Sequence, residues 1–416
     1  MNIEIVKDLY RTETLVGSVS NKSHVFDRIN RKDELRSRRK LDLLDSFASI
    51  INGKNTCTAC FLCDGDNKLY ISMNEKENIN VTLKFAQIIL NDMRQITSAK
   101  SEEEFILNSK GRNDVLTKIL VYNISIINHW LSKCRVKSSL EKIGNEKLKK
   151  LFNNSNKVSE SNVFEIVSLA DEICRNNKAN NIKLSDASNK LLRILSCIKW
   201  DYKRLTTCML RYNLLGITLF KNITGIKVIT TDPIKLPKQN YTASSDFIEN
   251  KIDIITIKDK DRLKKICEFM NIKYQNDYDE VDNLESENQT SSFNGCLHAE
   301  LNLMISLMDK GIAFSGCIGA SKLCCSLCHF FTLLMSYHNI ADFTMSGTHA
   351  KTYYQWAFPS VKSEWADKFN QLADDLSNIL FISYLNSKSN DSKPEPDNDT
   401  NSSVHGGDDL GRLNEL

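Results

Sequence analysis

Apolar and polar positions divide the first part of the chain into helical patterns and one β-prone segment. Leucines and a phenylalanine at helical spacing among charges predict a helix over residues 30–51. In residues 56–75, two β-prone runs flank the turn sequence DGDN at 64–67. Such turn chemistry between two strand-like runs predicts a β-hairpin.

The middle of the chain is dominated by helical periodicity. From about residue 76 to 272, apolar residues recur at helical spacing, with a short strand predicted within residues 225–232. Residues 276–294 are acidic and polar. We therefore expect a mainly helical segment that ends in an exposed linker.

After residue 293 the pattern changes to alternating strands and helices. The predicted elements are a helix over residues 298–309, a strand over 312–318, a helix over about 325–337, a strand over 341–345 and a helix over about 361–380. This alternation is typical of an α/β layered unit. The remaining residues 381–416 become rich in Ser, Asn, Asp and Pro from residue 386, so we predict a disordered polar tail.

Composition narrows the class of protein. The chain has 416 residues, 41% hydrophobic and 26% charged, enough for a sizeable core, and a net charge of +3 favours neither nucleic acid nor membrane. No apolar run approaches the roughly 20 residues that span a bilayer, and the charged N-terminus does not resemble a signal peptide. We therefore expect a cytoplasmic protein with no membrane contact, although non-classical export stays open. The odd number of cysteines, 13, favours free thiols and metal ligands over disulfides.

One stretch combines residues that suit metal chemistry. His298 and Glu300 form a His-x-Glu motif, and Cys325 and Cys328 form a Cys-x-x-Cys motif after a predicted helix and strand. One imidazole and two thiolates suit tetrahedral Zn²⁺ with a fourth position open to water, and the metal lowers the pKa of that water toward about 7. A carboxylate that is not a ligand, here Glu300, can then move protons.

The same motif imposes a geometric condition. Residues two apart do not share a helix face, so His298 and Glu300 can act together only in the first turn of their helix. Two alternatives remain open at this point: a packed core histidine with packed cysteines, and a structural zinc site without catalysis.

His298-Ala299-Glu300 followed by Cys325-x-x-Cys328 resembles the signature of the zinc-dependent nucleoside and nucleic-acid deaminase superfamily. The hairpin resembles the first two strands of that superfamily. The loop over 346–359 is similar to that of a divergent branch found in fungi and intracellular bacteria, in which a long helical segment separates the hairpin from the His-x-Glu helix.

The resemblance covers roughly residues 48–75 and 291–380 and implies a three-layer α/β/α, cytidine-deaminase-like mixed sheet. Residues 1–47 would then form an N-terminal helical segment. Residues 76–290 would form a large, mainly helical insertion.

The resemblance also implies roles for individual residues. His298, Cys325 and Cys328 become zinc ligands, and Glu300 becomes the proton shuttle. The implied substrate contacts are Asn74 and backbone groups at Ala299 and Leu323. His349, in the loop over 346–359, is a further candidate substrate contact because aromatic residues surround it in the sequence. For His349 and its aromatic neighbours Tyr353, Tyr354 and Trp356, a loop that stacks on a base and a packed loop both stay open. One departure is Cys324, which stands where the superfamily usually has proline.

The implied activity is hydrolytic deamination of a nucleobase of the cytosine or adenine type. The substrate would be a nucleoside, a nucleotide or a single-stranded nucleic acid, and a toxin or effector role stays open. The rival interpretation is a non-catalytic, zinc-stabilised module whose helical insertion binds a protein partner or a second copy of the chain.

A second cysteine pattern has a simpler interpretation. Cys57, Cys60 and Cys63 have the spacing of a metal-binding run. On a strand, however, a period of three divides them between the two faces, so we expect them to pack rather than to bind.

Overall fold

A computed structural model provides the structure of the chain. It describes residues 2–20, 35–53, 57–74, 79–152, 155–217, 222–230, 243–274, 297–348 and 356–389. The predicted acidic linker lies outside the described residues, as does the tail from residue 390.

Five strands form one mixed sheet. They are β1 Thr58–Cys63, β2 Lys68–Met73, β3 Gly225–Val228, β4 Ser315–Ala320 and β5 Asp342–Thr344, in the order β3-β2-β1-β4-β5. β1 and β2 pair antiparallel, while β2–β3 and β4–β5 pair parallel. Together with many helices this mixed sheet is consistent with the predicted α/β deaminase-like fold. The hairpin is confirmed, and Asn67 in its turn has the positive φ (53°) that such turns require.

Helices account for most of the described residues. In its first half they are α1 Ile3–Ser20, α2 Leu35–Ile51, α3 Ile79–Ile96, α4 Glu102–Leu107, α5 Ser109–Tyr122, α6 Ile124–Ser132, α7 Val136–Ile143, α8 Glu146–Phe152, α9 Val163–Ala179 and α10 Asp186–Leu214. The second half contains α11 Ser245–Asp253, a π-helical turn Ile254–Lys258, α12 Lys260–Met270, α13 Ala299–Asp309, α14 Ser326–Tyr337, a 3-10 turn Ser363–Trp365 and α15 Ala366–Ser389. None of the described helices is long and apolar enough to cross a membrane.

The chain divides into two compact units. Among the described residues, the motif unit comprises 2–20, 229–230, 243–274, 297–318, 323–348 and 356–389, and the hairpin unit comprises 35–53, 57–74, 79–152, 155–217, 222–228 and 319–322. The predicted insertion over 76–290 is therefore divided, because α3–α10 join the hairpin whereas α11 and α12 join the segment with the metal-binding motif.

In the hairpin unit, polar groups fix the end of α2, and a close backbone approach fixes its middle. The carboxamide of Asn123 accepts a hydrogen bond from the Gly53 N–H (3.1 Å) and donates one to the Ile50 carbonyl (2.8 Å). Gly319 lies against α2 so closely that a Cβ would come within 2.3 Å of the backbone carbon of Leu44. This position therefore accepts only glycine.

In the motif unit, α1 packs along α15. The Thr12 and Ser377 hydroxyls share a buried hydrogen bond of 2.9 Å. The polar tail predicted from residue 381 is wrong in its first part, because α15 continues to Ser389. Phe381 and Ile382 are fully buried, so the apolar face of α15 extends beyond the predicted end.

Candidate metal centre

Helix α13 begins at the His-x-Glu motif. His298 is its N-cap residue with extended backbone (φ −67°, ψ 148°), and its carbonyl accepts the first helical hydrogen bond, from the Asn302 N–H at 2.8 Å. Glu300 lies in the first turn and is only 3% exposed. His298 and Glu300 therefore lie at the start and in the first turn of one helix, as their joint action requires.

Helix α14 begins at the Cys-x-x-Cys motif. Cys325 is its N-cap residue, and its Sγ accepts a hydrogen bond from the Cys328 N–H at 3.4 Å. Both thiols are buried. The free N–H groups of a helix start stabilise negative charge on sulfur, which suits thiolate ligands.

The three donors converge. His298 Nδ1 lies 3.3 Å from Cys325 Sγ and 3.5 Å from Cys328 Sγ, and all three atoms lie within 4.8 Å of one another. Tetrahedral zinc with ordinary Zn–S and Zn–N bonds places nitrogen and sulfur about 3.6 Å apart. These residues therefore fit a zinc ion, and they form the one such group found among the described residues.

Their protonation states differ in the absence of metal. Burial lowers the pKa of His298, but the Cys325 thiolate opposes this and raises it to about 9. Burial raises the pKa of Cys325, but hydrogen bonds from Cys328 and His298 together with the His298 charge hold it well below its usual value. Burial and the neighbouring Cys325 thiolate raise the pKa of Cys328. These shifts favour an imidazolium at His298, a thiolate at Cys325 and a thiol at Cys328.

Trp356 supports the second cysteine. Its indole Nε1–H donates to Cys328 Sγ at 3.3 Å. The ring is fully buried and packs with Phe331 and Phe358. A base-stacking role for Trp356 is therefore wrong, because its faces are covered by the core. His349, Tyr353 and Tyr354 lie outside the described residues, so the role of His349 stays a prediction.

Cys324, which stands where the superfamily usually has proline, forms hydrogen bonds to the loop after β5. Its N–H and its Sγ–H both donate to the Gly347 carbonyl, at 3.3 and 2.9 Å, and the Thr348 hydroxyl donates to the Cys324 carbonyl at 2.9 Å. A proline here would have no N–H to donate. This cysteine thus joins the turn before α14 to the loop after β5.

Sequence reasoning missed Glu13 on α1. Its side chain is fully buried, and neither carboxyl oxygen has a hydrogen-bond partner in the part of the chain that the structure describes. Burial raises its pKa, and the Cys325 charge raises it further, so this carboxyl is near enough to the centre to respond to it. No local signal marks it, because a single glutamate in an amphipathic helix usually faces solvent.

The predicted substrate contacts occupy different places. Ala299 is buried at the start of α13, and Leu323, two residues before Cys325, is partly exposed; both belong to the motif unit. Asn74 follows β2 in the hairpin unit, and its N–H donates to the Cys57 carbonyl at 3.3 Å. Their contacts with a substrate stay predictions.

The other cysteine run shows no metal-binding geometry. Cys60 and Cys63 lie on β1 opposite Ile71 and Lys68, and Cys57 directly precedes the strand. All three are buried, and the described residues contain no cluster of potential ligands around them. This is the packing role expected of them.

The order of elements and the donor set agree with those expected from the resemblance. The chain contains a hairpin, a His-x-Glu helix, a strand, a Cys-x-x-Cys helix and a further strand, in the order expected of the cytidine-deaminase-like superfamily. Residues 297–360 match the model of the OTT_1508-like deaminase family, so the segment that holds the metal centre belongs to that deaminase family. Searches of curated proteins and of solved structures found no match. The link to fungi and intracellular bacteria stays a prediction.

Proposed function

We propose that this chain is a zinc-dependent hydrolase that removes the exocyclic amine of a nucleobase of the cytosine or adenine type. The observation behind the proposal is the convergence of His298, Cys325 and Cys328 within 4.8 Å, with Glu300 in the same helical turn as the histidine. A deaminase family match over residues 297–360 supports it.

The donor set favours catalysis over a structural role. Structural zinc sites are usually closed by four protein ligands, whereas catalytic sites have three and an open position. The described residues supply three. When bound, zinc supplies a Lewis acid that activates water for attack on the carbon bearing the amine.

Glu300 is placed to move protons. It is buried, and its charge contributes to raising the pKa of both His298 and Cys328, so it lies close to two of the three ligands. Its carboxylate accepts a proton from the attacking water and returns a proton to the departing amine. Water and the aminated base are consumed, and the keto base and ammonia are produced.

Backbone groups would orient the base. Ala299 begins the helix that follows His298, and Leu323 precedes the helix that contains the cysteines, so both lie beside the ligands along the chain. Asn74 would contact the sugar or base.

A Glu300→Gln variant tests the proposal. The amide cannot take up the proton, so ammonia release should fall about 10²- to 10⁴-fold while zinc content stays at one per chain. Asp309→Asn, the same change at the other end of α13, should leave both unchanged. Zinc is measured by elemental analysis, and ammonia release is measured with cytidine, adenosine and a single-stranded oligonucleotide.

Each other outcome is informative. Unchanged activity in Glu300→Gln would refute the role of Glu300. Wild-type protein without zinc would refute the metal centre. One zinc per chain with no ammonia from any of the three substrates would favour the non-catalytic, zinc-stabilised module.

A further inference from the structure

Positive charge is concentrated in the helices of the hairpin unit. Residues 79–217, which span α3–α10, contain 23 Lys and Arg but only 13 Asp and Glu, a net charge of +10. The rest of the chain has 32 basic and 39 acidic residues, a net charge of −7. The chain total of +3 therefore hides a strongly basic segment.

Three cationic side chains of this segment contact one carboxylate. Asp171 on α9 is buried, and its Oδ2 lies 2.8 Å from Lys203 Nζ, 3.1 Å from Lys199 Nζ and 3.4 Å from an Arg175 guanidinium nitrogen. Lys199 and Lys203 belong to α10, which packs against α9. One negative charge facing three positive charges leaves a local excess of about two.

This excess positive charge is accessible from solvent. The side chains of Arg175 and Lys203 are 60% and 46% exposed, while Lys199 is 13% exposed. Burial lowers the pKa of Lys199; Asp171 opposes this, and the positive neighbours Lys203 and Arg175 lower it further. Mutual repulsion among these cations would be relieved by an added anion.

An aromatic ring is fixed within the cluster. The Trp200 Nε1–H donates to Asp171 Oδ1 at 2.9 Å, and Trp200 is partly exposed. Arg193, also exposed, lies seven residues before Trp200, two turns along the same face of α10. The face therefore combines phosphate-binding groups with an oriented indole ring.

This combination is the chemistry that binds single-stranded nucleic acid, in which cations follow the phosphates and aromatic rings stack on bases. We propose that the α9–α10 face, defined by Arg175, Arg193, Lys199, Trp200 and Lys203, binds a single-stranded polynucleotide. That this strand is also the substrate of the metal centre rests on the proposed function.

The test measures binding to the full-length, zinc-loaded chain. A fluorescein-labelled, single-stranded DNA of about 20 nucleotides exceeds the roughly 4–16 nucleotides that such sites cover, and its anisotropy reports Kd. The chain includes Glu300→Gln throughout, so that turnover does not affect the signal. In Arg175→Gln/Lys203→Gln, Kd should rise at least tenfold, and the slope of log Kd against log salt should fall by about 1.4.

A matched control removes the same charge elsewhere. Lys137 and Lys150 are exposed on α7 and α8 of the same unit, and Lys137→Gln/Lys150→Gln should raise Kd less than threefold. An equal rise in both double variants would refute a defined site on α9–α10. So would a wild-type chain that does not bind.

Trp200 separates nucleic acid from other polyanions. Trp200→Leu should weaken binding of the DNA about tenfold and leave binding of an abasic strand unchanged, whereas Trp200→Phe, which keeps a ring, should stay near wild type. If inorganic polyphosphate binds as tightly as DNA and Trp200→Leu changes neither, the assignment to nucleic acid is wrong.

The two proposals fail separately. Deamination of free cytidine or adenosine without binding of the DNA would keep the proposed function and overturn this inference. Binding of the DNA that depends on Arg175, Lys203 and Trp200, without any deamination, would keep the site and remove its link to the metal centre.

Discussion

At the candidate metal centre, the three side chains placed to hold one ion differ in the direction of their pKa shifts. His298 is protonated at pH 7, because its pKa is raised to about 9, and the direction of each pKa shift favours a thiolate at Cys325 and a thiol at Cys328. Zinc binds neutral imidazole and thiolate. Loading the centre must therefore remove one proton from His298 and one from Cys328.

We predict that zinc uptake at pH 7 releases about two protons per ion. Because both groups stay protonated below pH 9, the apparent affinity for zinc should fall about 100-fold for each pH unit below 7. Isothermal titration in two buffers with different ionisation enthalpies measures the release. Release near zero would mean that the metal-free centre already holds two thiolates and a neutral histidine.

The residues of this centre differ in how far sequence could identify them. His298, Glu300, Cys325 and Cys328 were predictable because two short motifs fix their spacing, and each motif begins a helix. Glu13 was not, because only the folded chain brings α1 near a cysteine more than 300 residues away.

At the scale of elements, α1 is the least expected neighbour of the centre. The Tyr10 hydroxyl accepts a hydrogen bond from the Phe358 N–H at 2.9 Å, and Thr12 pairs with Ser377 on α15. These contacts hold the helix so that Glu13 is buried rather than solvated. A buried carboxyl without a hydrogen-bond partner costs stability.

We predict that Glu13→Met stabilises the protein by about 1–3 kcal/mol at pH 7, since methionine fills a similar volume without a polar group. The folded chain raises the pKa of Glu13 above its ordinary 4.5, so folding favours the protonated form. The penalty is therefore smallest below pH 4.5 and grows as pH rises. The gain in the variant should grow in the same direction, measured by urea unfolding at several pH values.

Glu4→Met is the control, because Glu4 is exposed on the same helix and pairs with Lys7. It should change stability by less than about 0.5 kcal/mol. Destabilisation by Glu13→Met would show that this carboxyl has a stabilising partner outside the described residues.

Other elements differ in how well sequence patterns predict them. The hairpin was predictable, because its turn sequence lies between two β-prone runs and the strands pair locally. The end of α15 was not, because Phe381 and Ile382 continue its buried face into a segment whose composition is dominated by the polar residues that follow.

At the scale of the whole molecule, zinc binding should stabilise the motif unit. His298, Cys325 and Cys328 all belong to it, so bound zinc stabilises the folded form of that unit by mass action. We predict that removing zinc with a chelator accelerates amide hydrogen exchange in α13 and α14. Exchange in α9 and α10 of the hairpin unit should stay unchanged.

The Cys325→Ser/Cys328→Ser variant, which has lost two ligands, serves as the control, and a chelator should not alter its exchange. Equal acceleration in α10 and α14 of the wild type would contradict the prediction and show that both units open together. Mass spectrometry of peptic fragments resolves these helices.

The division into units could not be predicted from periodicity. Helices α10 and α12 have similar amphipathic patterns, yet one joins the hairpin and the other joins the metal centre. Periodicity shows which face of a helix is buried but not which element covers it. That choice depends on contacts between residues far apart in the chain.

The close approach of β4 to α2 has a consequence for genetics. At Gly319 even a methyl group would overlap the backbone of Leu44 and Asp45, two consecutive residues that cannot move aside independently. In a library that randomises codon 319, selection for folded protein should recover glycine codons alone, while codons at exposed positions tolerate many replacements. Among candidate homologues, glycine aligned here would mark those that preserve this contact, even where the metal-binding motifs have been lost.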